Sequence, residues 1–523
     1  MIAALTHLTR LARAGIVFAR EGVLALIDPR PLPAAARFAL RAARLIERPT
    51  GSGNASRLAA ALTRLGPTYV KLGQFLATRP DVVGFAIARD LESLQDKMAP
   101  FPQGEAEAAV VSALGRPLRE VFAAFGPAVA AASIAQVHRA EIDTGEGRSP
   151  VAVKVLRPDI ERRFQADLAA MRFAARLAER ASAEARRLRL IEVVETLARS
   201  VRVEMDMRLE AAALSEMAEN TKDDPGFRVP AVDWDRTARE VLTLEWIDAA
   251  PLSDRTRLES KGLDLPLLGR TVIQTFLRHA LRDGFFHADM HPGNLFVDDQ
   301  GNLVAVDFGI MGRLGPKERR FLAEILFGFI TRDYRRTAEV HFEAGYVPRH
   351  HSVESFAQAI RAIGEPIHNR TAEDISMARL LTLLFEVTGL FDMRTRPELL
   401  LLQKTMVVVE GVARALDPHL DMWKTAEPVV REWIERHLGP AGRIEDAAGS
   451  AMELGRFFGG VPALLTRAAT LADHLDEITR DGLVLAPETV AAIGKAEARR
   501  SRWLTLGVWA IALLLAGLLL GLI

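Results

Sequence analysis

Hydrophobic and polar residues follow two periods along the chain, which separate strand-rich from helix-rich segments. Alternation over residues 133–140 and 151–155, with turn residues at 144–147 between them, predicts a β-hairpin. The same signals predict a strand at 241–246 and a short buried strand at 303–306. The strands are therefore expected mainly in the middle of the chain.

Helical periodicity accounts for most of the remaining residues. It covers 55–98, 160–220, 265–283, 316–425 and 446–477. The first of these segments is broken at Gly66-Pro67 and at Arg79-Pro80, because glycine and proline interrupt helices. A strand-rich part followed by a helix-rich part predicts an α+β fold with two lobes and a cleft between them.

Residues 503–523 form an uncharged apolar run of about 21 residues, long enough to cross roughly 30 Å of hydrocarbon. Arg499, Arg500 and Arg502 precede it, so the positive-inside rule places that end in the cytoplasm. The pattern predicts a single-pass C-terminal transmembrane helix with the catalytic part cytoplasmic, at a bacterial inner membrane. The alternatives are a buried terminal helix and a peripheral anchor.

The N-terminal residues 1–27 are amphipathic. Arg10, Arg13 and Arg20 interrupt every apolar core long enough for a signal peptide. Contact with a membrane surface and packing on the protein itself both fit this pattern.

Composition excludes several function classes. The chain has 67 basic and 67 acidic residues, so a nucleic-acid-binding surface is not expected. It has no cysteine, which excludes disulfides, thiolate catalysis and cysteine-ligated zinc.

The most specific chemistry lies after the helix at 265–283. Asn294 follows Asp289 by five residues, and Asp307 follows it by eighteen, at the end of the predicted strand 303–306. Phosphoryl transfer needs these residue types: one aspartate positions the attacking group, while the asparagine and second aspartate hold Mg²⁺ on the nucleotide. Zinc binding by His287, Asp289 and His291 is the disfavoured alternative, because oxygen ligands suit Mg²⁺.

Lys154 ends the second strand of the hairpin, where its ammonium can contact nucleotide phosphates. Such a lysine is usually paired with a helix carboxylate, and Glu204, Asp206 and Glu210 are the candidates. We assign Glu210 as its partner, and the alternative is a solvated helix face. Before the hairpin, Ala130, Ala131, Ala132 and Ser133 occupy the place of a glycine-rich phosphate-covering loop.

These residues together resemble the UbiB family of atypical, protein-kinase-like proteins of ubiquinone biosynthesis. The most specific motif is Lys71-Leu-Gly-Gln74, the family's KxGQ, and Glu204-x-Asp206 matches its ExD. The Ala-rich loop, the His287–Asn294 loop and Asp307-Phe-Gly also match, so the resemblance covers roughly residues 60–425. Ala135 and Ala249 stand where the family often has glycine.

The resemblance implies a protein-kinase-like fold that binds ATP and Mg²⁺, with nucleotide contacts from the hinge at Glu245 and Ile247. It also implies that the KxGQ helix folds over the cleft toward the ExD acids, which gives Lys71, Gln74, Glu204 and Asp206 a regulatory role. The groove for a peptide would then be covered. The expected partners are water, a membrane lipid or a quinone precursor, with other quinone-biosynthesis enzymes as further partners.

The expected organisation has six parts. They are an amphipathic and linker region at 1–58, a KxGQ extension at 59–127, a small lobe with a helical insertion at 128–249, a large lobe at 250–430, C-terminal helices at 431–502 and the membrane helix at 503–523. The alternatives are an aminoglycoside- or choline-kinase-type phosphotransferase, to which KxGQ does not belong, and a non-catalytic scaffold for quinone enzymes. Ring hydroxylation is disfavoured, since no flavin or metal site for it is evident.

Overall fold

The computed structural model describes residues 2–439 apart from 27–45, 48–53, 78, 80–82, 93, 95–97, 146, 182, 368–382, 384–385 and 394–396. The predicted helix at 446–477 and the predicted membrane helix at 503–523 lie outside the described residues. Within them, no helix combines the length and apolar character needed to cross a bilayer.

A helical extension comes first. Its helices are α1 (Ile2–Arg20), α2 (Asn54–Leu65), α3 (Pro67–Ala77), α4 (Phe85–Glu92), α5 (Gln103–Leu114) and α6 (Leu118–Val121). The predicted break between α2 and α3 is confirmed. Gly66 adopts a φ of 106°, which glycine takes without steric strain, and Pro67 then begins α3, where its missing N–H has no helical partner to lose.

The small lobe is built on a four-stranded antiparallel sheet. The strands of this half of the chain are β1 (Ala124–Ala131), β2 (Ala135–Asp143), β3 (Arg148–Leu156), β4 (Phe227–Arg228) and β5 (Val241–Glu245). The sheet has the order β1-β2-β3-β5. The predicted hairpin is β2–β3, and its turn closes through a 2.9 Å hydrogen bond from the Thr144 N–H to the Gly147 carbonyl.

Strand β1 begins at Ala124, before the predicted start of the small lobe at residue 128. Gly126 and Pro127 obscure it in the sequence, since both residues are rare inside strands. Proline is accepted here because β1 is an edge strand with an irregular register. A Cβ at position 126 would lie 2.9 Å from the Arg139 carbonyl oxygen, so the close approach of the two strands requires glycine.

Alternation on β3 determines which way its side chains point. Val151, Val153 and Val155 are buried in the small-lobe core together with Val110 of α5 and Val121 of α6. Lys154, which lies between Val153 and Val155, therefore faces the opposite side of the sheet.

A helical insertion separates β3 from β5. It consists of α7 (Ile160–Ala181), α8 (Ala183–Arg187), α9 (Leu190–Glu204) and α10 (Met207–Thr221). The described part of the N-terminal amphipathic segment packs on this insertion. Arg10 of α1 forms a 2.5 Å ion pair with Asp167 of α7, which also accepts a 2.8 Å hydrogen bond from Thr68 of α3.

The large lobe is mainly helical. Its elements are β6 (Ala250–Pro251), α11 (Arg255–Ser260), α12 (Leu265–Arg278), a π-helical turn (His279–Asp283), β7 (Phe285–His287), β8 (Leu295–Val297), β9 (Leu303–Ala305), β10 (Met311–Arg313), α13 (Pro316–Thr331), α14 (Tyr334–Glu343), α15 (Val353–Gly364), α16 (Pro397–Leu416) and α17 (Met422–Leu438). Short strands form one sheet of order β4-β9-β8-β6 and a β10–β7 pair. Both flank the loop that carries the candidate chemistry.

Candidate active site

The loop between β7 and β8 is held by its own polar groups. The Nδ1 atom of His287 accepts a 3.0 Å hydrogen bond from the Asp289 N–H, while its Nε2 donates to the Val306 carbonyl at 3.1 Å. Burial lowers the pKa of His287, so the ring is neutral and able to play both roles. Asn294 Nδ2 donates to the Asp289 carbonyl at 3.1 Å. These bonds fix the backbone around Asp289 and leave its carboxylate about one-third exposed.

Asp307 follows β9 in a left-handed conformation, with φ of 62°. This backbone is unusual for a residue other than glycine and turns the side chain toward the small lobe. Asp307 Oδ1 lies 3.0 Å from the ammonium of Lys154 on β3.

Lys154 lies between two carboxylates. Its Nζ contacts Oε1 and Oε2 of Glu210 at 2.8 and 2.9 Å, in addition to Asp307. Lys154 is 15% exposed and Glu210 is 7% exposed, so little water reaches this pair. The structure therefore joins β3, α10 and the end of β9 through one ammonium group.

The charges of the three groups shift one another's titration. Burial alone lowers the pKa of Lys154, but Asp307 and Glu210 outweigh it and raise that pKa well above its ordinary value. Lys154 in turn holds the pKa of Asp307 far below its ordinary value, and Lys71 adds to this effect. Asp307 is therefore ionised and suited to bind a cation.

The structure separates the three candidate acids. Glu210 reaches Lys154, whereas Asp206 caps the N-terminus of α10 by accepting from the Arg208 N–H and also pairs with the Arg208 side chain at 2.7 Å. Glu204 ends α9 and forms a 2.8 Å ion pair with Lys71 of α3.

The Lys71–Glu204 pair brings the KxGQ helix against one of the ExD acids. Their side chains are only 12% and 10% exposed, so the contact is largely shielded from water. Gln74, one turn further along α3, is half-buried. Asp206 does not share this contact, because Arg208 holds it.

The Ala-rich loop closes the end of β1. Ala130 and Ala131 belong to the strand, the Ala132 N–H donates to the Ala135 carbonyl at 2.8 Å, and Ser133 is fully buried. Arg157 donates from Nη2 to the carbonyls of Ala132 at 2.9 Å and Ala99 at 2.8 Å. The loop is therefore fastened to the helical extension.

The hinge residues lie at the end of β5 and directly after it. The carboxylate of Glu245 lies 3.0 Å from Arg228, and Arg228 also reaches Asp298 at 3.1 Å. Ile247 is half-buried two residues later. The Glu245 side chain is thus paired with Arg228. The backbone after Glu245 continues into the large lobe.

The oxygen atoms of Asn294 and Asp307 fit a Mg²⁺ site. Asn294 uses its Nδ2 as a donor, which leaves its amide oxygen as the metal ligand, and Asp307 is ionised. His287 has no nitrogen left for zinc, because both ring atoms are hydrogen-bonded within the protein. The disfavoured zinc arrangement of His287, Asp289 and His291 therefore lacks one of its ligands.

Sequence reasoning missed several residues that brace the site. A partly buried cluster at the π-helical turn contains Asp224, His279 and Arg282, in which Arg282 Nη2 lies 3.1 Å from Asp224. Arg157 and Arg228 were missed as well. None of them belongs to a motif, and arginines are so common in this chain that no spacing signal distinguishes them.

Comparisons with known proteins agree with this geometry. The ABC1 atypical kinase-like domain matches residues 93–341, and the UbiB helical domain matches residues 360–421. A probable protein kinase UbiB of Marinobacter nauticus is 40% identical over 448 residues, which are 84% of this chain and 81% of that protein. A protein of Azotobacter vinelandii with the same description is 40% identical over 431 residues, covering 82% of this chain and 78% of that protein.

Among solved structures, the complex of Rv3197 with erythromycin from Mycobacterium tuberculosis has a TM-score of 0.48 and 25% identity, covering 76% of this chain and 97% of that chain. The identity and coverage of the sequence relatives establish the family: this chain belongs to the UbiB family of ABC1 atypical kinase-like proteins.

Proposed function

We propose that this chain is a Mg-ATP-dependent, kinase-like phosphotransferase or ATPase that supports ubiquinone biosynthesis at a membrane. The observation that carries the proposal is the convergence of Glu210 and Asp307 on Lys154, at 2.8 and 3.0 Å. A lysine, a helix glutamate and an Asp-Phe-Gly aspartate in this arrangement form the core of an ATP site in kinases.

Each residue has a role that follows from its surroundings. Lys154 would bind nucleotide phosphates, with Glu210 fixing its position. Asn294 and Asp307 would hold Mg²⁺, which neutralises charge on the phosphates when Mg-ATP is bound. Asp289, whose backbone is fixed by His287 and Asn294, would orient the attacking hydroxyl or water and accept its proton.

The acceptor is proposed to be water, a small molecule or a lipid-borne group, not a protein. The shielded Lys71–Glu204 pair supports this, because it holds α3 against α9 beside the cleft. Lys71 is also close enough to Asp307 to help lower the pKa of that carboxylate. The proximity of α3 to a proposed Mg²⁺ ligand supports the same conclusion. Quinone precursors, membrane lipids and other quinone-biosynthesis enzymes are the proposed partners, at a bacterial inner membrane.

Substitution Asp307→Asn tests the proposal directly. We expect Mg-dependent ATP binding to be lost or ATP turnover to fall by about two orders of magnitude or more, because the variant removes a charge that binds the metal. Equilibrium nucleotide binding and phosphate release measure this. The matched control is Asp299→Asn in the β8–β9 turn, where the side chain is 76% exposed.

The same pair of variants separates catalysis from scaffolding in cells. Quinone content is measured in a deletion strain complemented with wild type, Asp307→Asn or Asp299→Asn. We expect only Asp307→Asn to fail. Full complementation by Asp307→Asn, with the protein present at normal levels, would contradict a catalytic role and favour the scaffold.

A further inference from the structure

Two histidines and an aspartate meet on the large lobe, outside the site described above. Nε2 of His351 and Nε2 of His350 lie 3.3 and 3.6 Å from the same atom, Oδ2 of Asp392. One ligand atom of each residue lies within 4.8 Å of the others, and no other His, Asp and Glu side chains of the described residues meet in this way. We propose that these three residues bind a divalent transition-metal ion, and that the ion is Zn²⁺.

The separations match those across a shared metal ion. Nitrogen and oxygen ligands at about 2.0–2.1 Å from Zn²⁺, at tetrahedral angles, lie about 3.3 Å from each other. The two observed separations are 3.3 and 3.6 Å. Charge-assisted hydrogen bonds between nitrogen and oxygen are normally shorter, at about 2.7–2.9 Å. Both contacts of Asp392 Oδ2 are longer than such bonds and agree with the spacing of ligands around one ion.

The backbone on both sides of the cluster is well held. The His351 N–H donates to the Pro348 carbonyl at 3.2 Å, and the next residue, Ser352, caps α15. On the other side, Asp392 adopts a left-handed φ of 47°, and the preceding Phe391 is 5% exposed. The ligands are therefore presented by loops that are anchored before any ion binds.

Ring packing positions the two imidazoles further. The rings of His350 and His351 lie 4.1 Å apart, and His351 packs on Phe391 at 5.2 Å. The side chains of His350 and Asp392 are 66% and 69% exposed. An ion can enter from solvent, and water can supply the fourth ligand.

The donor set selects the class of ion. Two imidazoles and one carboxylate suit Zn²⁺ and its neighbours Co²⁺ and Ni²⁺, whereas Mg²⁺ prefers oxygen ligands alone. The site is therefore distinct in chemistry from the one at Asn294 and Asp307. Residues 351 and 392 are 41 positions apart, so a bound ion would cross-link the two ends of the segment that contains α15.

The experiment uses the full-length chain without a histidine tag, freed of metal by a chelator. Zn²⁺ is titrated calorimetrically in excess Mg²⁺, and Co²⁺ serves as the spectroscopic probe. We expect one Zn²⁺ per chain and the intense visible absorption of four-coordinate Co²⁺. His351→Gln and Asp392→Asn should each weaken binding at least about tenfold. The matched control is His419→Gln, an exposed histidine outside the cluster, which should bind as wild type does.

Three results would overturn the proposal. The first is no saturable binding at one ion per chain, and the second is equal affinity in wild type, His351→Gln and Asp392→Asn, which identifies an adventitious ion only. The third is the weak absorption of six-coordinate Co²⁺, which would exclude the tetrahedral Zn²⁺ assignment. The Asp307→Asn variant separates this proposal from the proposed function, because its Zn²⁺ binding should stay unchanged even where its nucleotide binding is lost.

Discussion

Single residues in this protein carry more than one contact, and Lys154 is the clearest case. Its ammonium contacts a buried glutamate and a half-exposed aspartate, whose side chains are 7% and 50% exposed. A metal ion would approach from the exposed side. Lys154 and Glu210 can therefore stay paired while Asp307 exchanges Lys154 for the metal ion. Glu210 would then position Lys154, and Asp307 would bind the metal.

The carboxylate of Asp224, only 6% exposed, should make stability depend on pH. Burial alone raises the pKa of Asp224, but the neighbouring His279 ring at 3.5 Å and the hydrogen-bonded Arg282 guanidinium outweigh it and lower the pKa to about 2 from an ordinary 3.8. Its contribution of about 2 kcal/mol is present above pH 4 and is lost as the pH falls through about 2. Asp224→Asn should be less stable by about 2 kcal/mol at pH 7, because it removes this charge, while Arg282 keeps its pairing with Asp283.

Thermal unfolding midpoints between pH 6 and pH 2.5 measure this effect. The midpoint of wild type should fall more steeply below pH 4 than that of Asp224→Asn. Asp235→Asn, at an exposed position, is the control and should follow the wild-type curve. Parallel curves for wild type and Asp224→Asn would contradict the prediction.

At the residue scale, most members of the candidate active site could be predicted from the sequence. Asp289, Asn294 and Asp307 are recognisable because their spacing reflects one short loop and one strand. Glu210 could be chosen over Glu204 and Asp206 only through helix geometry and resemblance. The Asp224 cluster and the His350, His351 and Asp392 group could not be predicted, because in each of them the aspartate comes from a distant segment that only packing brings close.

At the scale of elements, one ion pair joins the helical extension to the helical insertion. Lys71 on α3 and Glu204 at the end of α9 form the shielded contact between them. Substitution Lys71→Met should leave Glu204 buried without its partner and destabilise this contact by about 3 kcal/mol. The double variant Lys71→Met/Glu204→Gln should recover much of the loss, because it removes the unpaired charge.

Hydrogen–deuterium exchange of residues 67–77 measures this opening. Exchange there should accelerate in Lys71→Met and return toward wild type in the double variant. The control is Arg255→Met, which breaks an Arg255–Glu259 pair whose side chains are 54% and 53% exposed, and which should cost less than about 1 kcal/mol. Unchanged protection of α3 in Lys71→Met would show that the pair does not hold the helix.

Elements were predicted well where periodicity was strong and poorly where backbone geometry was special. The β2–β3 hairpin and the break at Gly66 followed from local sequence. The start of β1 did not, since it depends on the tolerance of an edge strand for proline. The π-helical turn His279–Asp283 did not either, since it depends on local unwinding of a helix before β7.

For the whole molecule, membrane attachment remains a prediction from residues 503–523. Deleting this run should move the protein from the membrane to the soluble fraction. The double variant Leu514→Arg/Leu518→Arg should act like the deletion, since each charge near the centre of a span costs about 2.5–3.5 kcal/mol. Membrane flotation of tagged variants measures this, with Leu514→Ile/Leu518→Ile as the matched control. A truncated chain that still floats with membranes would place the anchor elsewhere.

Arg157 has a consequence for kinetics. One guanidinium holds the carbonyl of Ala132, in the loop proposed to cover the phosphates, and that of Ala99, in the extension. If the loop covers the phosphates as proposed, these bonds would favour its lifting together with the extension, so release of spent nucleotide would be coupled to displacement of the extension. Turnover of the proposed enzyme would then be limited by how often its N-terminal extension opens, and a molecule that binds the extension from outside would slow the proposed catalytic cycle.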